Sequence, residues 1–174
     1  STPLYSSAAS DVYKRQLTGT VGRLAMDDAL TLADETTARR AGSYGKLDFD
    51  LARIQSFTPA FSAYARFSAQ WASGNLDSSE RLAIGGFEGV RAYPVGEGAG
   101  DAGWIAQAEL RYVIGDFAPY LFYDASHARI NQSPWDAASE QSRNLSGAGI
   151  GVRYLHDLWS VSYTHLTLPT NREV

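Results

Sequence analysis

Three runs of this chain alternate apolar and polar residues with a period of two. In FSAYARFSAQW, Phe61, Ala63, Ala65, Phe67, Ala69 and Trp71 fall on one side, and Ser62, Tyr64, Arg66, Ser68 and Gln70 on the other. Successive side chains of a strand point to opposite faces, so the pattern predicts a strand. KLDFDLARI repeats it, with Leu47, Phe49 and Leu51 against Lys46, Asp48 and Asp50. WIAQAELRY does so again, with Trp104, Ala106, Ala108, Leu110 and Tyr112 opposite Gln107, Glu109 and Arg111. Less regular patterns predict four more strands: LTGTVGRLAM from Leu17, RLAIGG from Arg81, APYLFYDASHARI from Ala118 and LSGAGIGVRYL from Leu145.

The joins are of two kinds. IGDFA is a tight turn, whereas DDALTLADETTARRAG and NQSPWDAASEQSRN are long and polar. Short turns alternating with long loops predict an up-and-down antiparallel sheet whose two ends differ. A soluble sandwich or lipocalin-like barrel also alternates, but there the large apolar residues share one core. Here the apolar faces are small and smooth and the opposite faces strongly charged, as a wet lumen allows. Trp71, Trp104 and Tyr112 lie near strand ends, where an interfacial aromatic girdle belongs. The pattern favours an all-β fold, about seven strands of a transmembrane antiparallel up-and-down β-barrel with lipid outside and water or a polar plug inside, over the soluble sandwich or lipocalin-like barrel.

Composition narrows the chemistry. With 174 residues, 44% hydrophobic and 12% aromatic, the chain is no disordered segment. A net charge of -4 without a basic run offers nucleic acid no footprint. The absence of cysteine removes disulfides, thiolate metal sites and cysteine nucleophiles. No apolar run approaches the ~18 residues of a spanning helix, but a spanning strand needs only ~9 to 11. His127 and His156 are isolated and His165 lies near the end of the chain, so no metal cluster is read. GAGDAG matches GxGxxG formally, yet an alternating strand follows where a dinucleotide fold needs a helix. Asp48 and Asp50 share a face and read as lumen lining. No catalytic residue, cofactor or small-molecule substrate is expected.

The two ends carry a separate signal. DVYKRQ, residues 11–16, can be encoded by GAT GTG TAT AAG AGA CAG, a transposase mosaic end. Its reverse complement, one frame along, encodes VSYTH, residues 161–165. Residues 1–16 and 161–174 are therefore expected to be adapter-derived, leaving 17–160 as the natural segment.

The segment GGFEGVRAYPVGEGAGD, residues 85–101, sits in a loop spanning roughly 87–102. That exceeds the usual hairpin connection of ~2 to 5 residues. Val90, Tyr93, Pro94 and Val95 punctuate its glycines and can pack it, and Arg91 is a lone cation among apolar neighbours.

The run LAIGGFEGVRAYPVGEGAGDAGWIAQAELRY resembles the signature region of two-partner secretion transporters, the haemolysin secretion and activation proteins of the Omp85 superfamily. The matching elements are Gly85 and Gly86, the tetrad Val90, Arg91, Ala92 and Tyr93, then Pro94, then Gly100 and Asp101, and the strand AELRY. Weaker likeness extends through FSAQWASGNLDSSERLAIGG, FYDASH and LSGAGIGVRY. Ala92 stands where the superfamily often has glycine, and Ser126 where it often has aspartate.

The resemblance implies that the loop folds back into the lumen as a plug and that Arg91 at its tip meets Asp124 on the inner wall. It further implies a Gram-negative outer-membrane pore that makes and breaks no bond and exports a large β-helical haemolysin or adhesin. The partners are then that exoprotein, which POTRA domains elsewhere in such proteins bind, and outer-membrane lipid. Residues 17–160 would be a fragment of the C-terminal half of a barrel of about sixteen strands. An Omp85-type assembly factor is the nearest alternative, although the continuation VRAYPVGE favours secretion. A porin, an outer-membrane enzyme and a soluble β-binding module are more distant. Two unpaired edges would leave the isolated segment an open curved sheet without pore activity, its tails disordered or borrowed as edge strands.

Overall fold

The computed structural model describes residues 12–24, 34, 42–133, 141–156 and 159–167. Six of the expected runs lie in long strands, and a seventh long strand follows them: β1 (Val12–Leu24), β2 (Gly42–Ser56), β3 (Phe61–Ala72), β6 (Ala102–Tyr112), β7 (Phe117–Arg129), β8 (Ser142–His156) and β9 (Trp159–Thr167). They make one seven-stranded antiparallel sheet in the order β1-β2-β3-β6-β7-β8-β9. Among the described residues, β4 (Leu82–Ala83) and β5 (Ala99–Gly100) stand apart from it as a two-residue ladder.

That ladder corrects the expected strand RLAIGG. Leu82 and Ala83 pair with Gly100 and Ala99 inside the loop, and β3 pairs directly with β6. The insertion therefore runs over 73–101 rather than 87–102. The sheet still has seven strands because β9, outside the expected set, extends it. Pairing also runs through both segments read as adapter-encoded: Val12 to Gln16 lie opposite Ile54 to Asp50, and Val161 to His165 opposite Tyr154 to Ile150. Pairing is silent about origin, since an open edge captures any extended neighbour. The tips of the two other long loops and both chain ends lie outside the described residues.

The sheet is inverted relative to a soluble one. Its apolar face is exposed: Trp71, Leu110, Leu121, Tyr123 and Ile150 all point outward, Ile150 at 63% exposure. Its polar face is buried: Ser68, Gln70, Gln107, Glu109, Asp124 and Ser126 are each under 9% exposed. Water on the first face and oil on the second would oppose folding, whereas lipid outside and a packed polar lumen inside satisfy both. Phe67 and Trp104 stack across the β3–β6 pair on the lipid side.

The two ends differ as the joins predict. Residues 57–60 and 113–116 are tight turns; in the second, Gly115 adopts a φ of 57° and Ile114 N–H donates to Phe117 O at 2.7 Å. The long connections gather at the other end, the arrangement of bacterial outer-membrane barrels with long loops outside and short turns in the periplasm. From that rim the 73–101 segment folds over the polar face, against Gln107, Glu109 and Asp124.

Candidate functional site

The loop is fastened at its root and at its tip by different chemistry. At the root, Asp101 has no exposed surface. Its Oδ1 accepts Leu76 N–H at 3.2 Å and faces Arg81 Nε at 3.1 Å, and its Oδ2 accepts Gln132 N–H at 2.9 Å. Arg81 Nη2 reaches Asn131 Oδ1 at 3.0 Å. Asn75 and Ser133 exchange two hydrogen bonds, of 3.0 and 2.7 Å. Residues on both sides of the insertion are thus tied to the β7–β8 connection at one rim.

Beyond the root the backbone doubles back on itself. Gly86 and Gly96 adopt φ of 84° and 93°, the left-handed region that glycine enters without steric cost. Val90 N–H donates to Ile84 O at 2.9 Å and Gly86 N–H to Tyr93 O at 2.9 Å, closing a compact knot. Ile84 and Val90 then pack with Ile105, Ala128 and Leu145 of the wall, flanked by Leu82, Ala92 and Tyr93. Pro94 lies on the exposed return, where its carbonyl accepts Glu97 N–H. The wall also grips the main chain: Gln107 Nε2 donates to Phe87 O at 3.1 Å and Gly89 O at 2.8 Å.

Arg91 occupies the centre. Its Nε and Nη2 donate to Asp124 Oδ2 and Oδ1, both at 2.8 Å, and its backbone N–H donates to Oδ2 at 3.1 Å. Nη1 donates to Glu109 Oε2 at 2.9 Å, and the guanidinium carbon lies 3.9 Å from the centre of the Phe122 ring. Burial lowers the guanidinium pKa, but hydrogen bonds to Asp124 and Glu109 and the charges of both outweigh it, leaving the pKa above its ordinary value. The planar fork is what makes this possible, since it presents parallel donors to a carboxylate and a flat face to a ring.

Register explains the space. Across β6, β7 and β8, Asp124 lies opposite Gln107 and Gly147, and Phe122 opposite Glu109 and Gly149. Gly147 leaves room for the tip: a Cβ there would lie 2.6 Å from Ala92 Cβ. Gly147→Ala is therefore expected to loosen the tip by about 1–3 kcal/mol, the usual cost of overpacking. Faster trypsin cleavage after Arg91 reports it, and Ala92→Gly in the same chain restores protection.

Glu109, 4% exposed, also accepts Arg111 Nε at 2.6 Å and Arg153 Nη2 at 2.8 Å. Arg111 and Arg153 lie over the rings of Tyr64 and Tyr120. Two further ionic contacts tie loop to wall, Glu88 to Arg66 and Glu97 to Arg143, the second at 2.9 Å. Of the expected residues, the structure brings Arg91 and Asp124 together, places Val90 and Tyr93 in the tip's packing and moves Gly100 and Asp101 to the root. From the sequence, Glu109 and Arg111 have only a place on the polar face of their strand, and Arg153 has no role.

Ser126, the next inward position along β7 from Asp124, is buried, and its hydroxyl has no partner among the described residues. Ser126→Ala is expected to stabilise the protein by about 1 kcal/mol, since a buried unpaired group carries its desolvation cost uncompensated. Chemical unfolding of the two proteins measures it. Among the described residues no group of three or more histidine, aspartate or glutamate side chains could hold a metal ion.

Comparison with known proteins agrees with this architecture. The family model for the haemolysin secretion/activation protein ShlB/FhaC/HecB matches residues 11–154. Two curated relatives are heme/hemopexin transporter proteins HuxB of Haemophilus influenzae. That of strain 86-028NP is 25% identical over 114 residues, covering 62% of this chain and 20% of the relative. That of strain Rd is 28% identical over 139 residues, covering 70% and 24%. The chain thus spans about a fifth to a quarter of the length of these relatives. No solved structure matches significantly. A family match over most of the chain, on a lipid-facing sheet with a polar lumen, places this chain in the haemolysin secretion/activation (ShlB/FhaC/HecB) family of Gram-negative outer-membrane transporters.

Proposed function

We propose that the intact protein is the outer-membrane pore of a two-partner secretion system, exporting a large β-helical exoprotein of the haemolysin or adhesin type. The loop over 73–101 is its plug, and the Arg91–Asp124–Glu109 cluster holds the plug closed. The observation that carries this reading is a cation on a glycine-jointed loop, bound to two buried carboxylates of a lumen wall. Losing one partner of such a contact costs little at a surface but about 3–5 kcal/mol where the charges are buried, because the other charge is left unpaired. A passing polypeptide can displace it, whereas an assembled wall strand cannot move.

A second reading of the cargo draws on the HuxB relatives, whose name points to heme and hemopexin. The exported partner is then a heme- or hemopexin-binding exoprotein rather than a haemolysin. Co-expression of the intact transporter with each type of exoprotein, followed by assay of the culture medium, tests both. Release of the haemolysin or adhesin type supports the first reading, and release of only the hemopexin-binding type supports the second. Release of neither, with barrels assembling faster in the same cells, would replace secretion by an assembly function.

A further inference from the structure

We infer that the pocket holding Arg91 is a guanidinium-binding site, which an arginine of the exported polypeptide occupies once the loop has withdrawn. The inference rests on the reading of the loop as a plug. Among the described residues, all three hydrogen bonds that Asp124 accepts come from Arg91, and the carboxylate has no exposed surface. Withdrawal therefore strips Asp124 completely. Glu109 fares differently, because Arg111 and Arg153 stay on it. The open wall thus presents one uncompensated carboxylate in a prepared place.

That place selects a guanidinium over other cations. Two Asp124 oxygens receive a side-on fork, Glu109 Oε2 receives a third nitrogen, and the Phe122 ring lies 3.9 Å from the carbon that joins them. An ammonium has neither the plane to stack nor the fork to fill both carboxylates. The surroundings also fit a polypeptide rather than a free small molecule. Gln107 already donates to two main-chain carbonyls of the resident loop, and Asp124 accepts that loop's backbone N–H as well as its side chain. Ser126, next along the same inward stripe, holds a buried hydroxyl with no partner among the described residues, a hydrogen-bonding group that the loop leaves unused. Arg91 is thus a tethered copy of the ligand, and a passing arginine competes with it.

Argininamide and lysinamide, added to the purified intact transporter at constant ionic strength, are the probes. Calorimetry with Arg91→Ala is expected to show saturable argininamide binding. The double variant Arg91→Ala/Asp124→Asn should bind at least about tenfold more weakly, as loss of one charged hydrogen-bond partner implies. Lysinamide should bind Arg91→Ala more weakly than argininamide does. Equal affinity for the single and double variants, or no preference for argininamide, overturns the inference. If Arg91→Ala does not fold, the wild-type protein in planar bilayers decides: argininamide must raise the open probability more than lysinamide, and equal effects or none refute the site. The underlying plug reading fails separately, if Arg91→Ala conducts as the wild type does while still binding argininamide.

Discussion

Asp124→Asn in the intact transporter is expected to raise basal conductance in planar bilayers by moving the closed-to-open ratio about two orders of magnitude toward open. The substitution keeps the volume of the side chain and removes its charge. One of the two oxygens that face Nε and Nη2 of Arg91 at 2.8 Å becomes an NH2 group, so a donor then meets a donor. Breaking one side of a buried ion pair costs about 3–5 kcal/mol, mostly from the charge left behind. The lower end applies here, because Glu109 still meets Nη1 at 2.9 Å and the Phe122 ring still covers the guanidinium. A loss of about 3 kcal/mol from the closed state corresponds to the ratio given above. The wall itself should survive, since Glu109 keeps its two other arginines and the strands pair through their backbones. Unchanged conductance and secretion would remove the cluster from the gate.

The strand faces were legible because each wall strand meets two unlike media. Phe67 and Trp71 against Ser68 and Gln70 is an alternation that only a two-sided surface requires, and β2, β3 and β6 carry it almost without exception. The same local rule failed at RLAIGG. Leu82 and Ala83 do form strand, but the loop pairs them with Ala99 and Gly100, and alternation over so short a run does not distinguish a wall strand from a ladder inside a loop. Arg91 and Asp124, 33 residues apart, were brought together by the family resemblance and not by any spacing rule. Glu109 and Arg111 had the correct parity for the lumen. Arg111 meets Glu109 two residues along the same strand, but the contact of Glu109 with Arg153 depends on the register that sets Glu109 opposite Phe122 and Arg153 opposite Ala118. Register arises from the whole sheet and leaves no mark in a single run. Asp101 illustrates the remaining gap: the motif contained it, but its partners Arg81, Leu76 and Gln132 lie in two different connections.

That position yields the second large effect, and it differs in kind from the first. Asp101→Asn is expected to release the whole insertion, not only its tip. Each carboxylate oxygen of Asp101 accepts a backbone N–H, Oδ1 from Leu76 and Oδ2 from Gln132, and Oδ1 also faces Arg81 Nε. An asparagine amide has one oxygen and one NH2, so either orientation points a donor at a buried backbone donor. One orphaned N–H costs about 1–3 kcal/mol, and the partly buried Arg81, losing its charge partner while keeping Asn131, adds somewhat less, giving about 2–4 kcal/mol in all. Asp101 and Leu76 are themselves fully buried, so the loss at the carboxylate is little relieved by water. Trypsin separates the two variants on folded, membrane-inserted protein. Asp124→Asn should expose the bond after Arg91 while the bond after Arg81 stays protected by the intact root, whereas Asp101→Asn should expose both. Protection of Arg81 in Asp101→Asn would show that the Asn75–Ser133 exchange and the Leu82–Gly100 ladder hold the root without the carboxylate. The rim would then hold the loop through its backbone alone, leaving the ionic contacts at the tip as the part of the plug that charge controls.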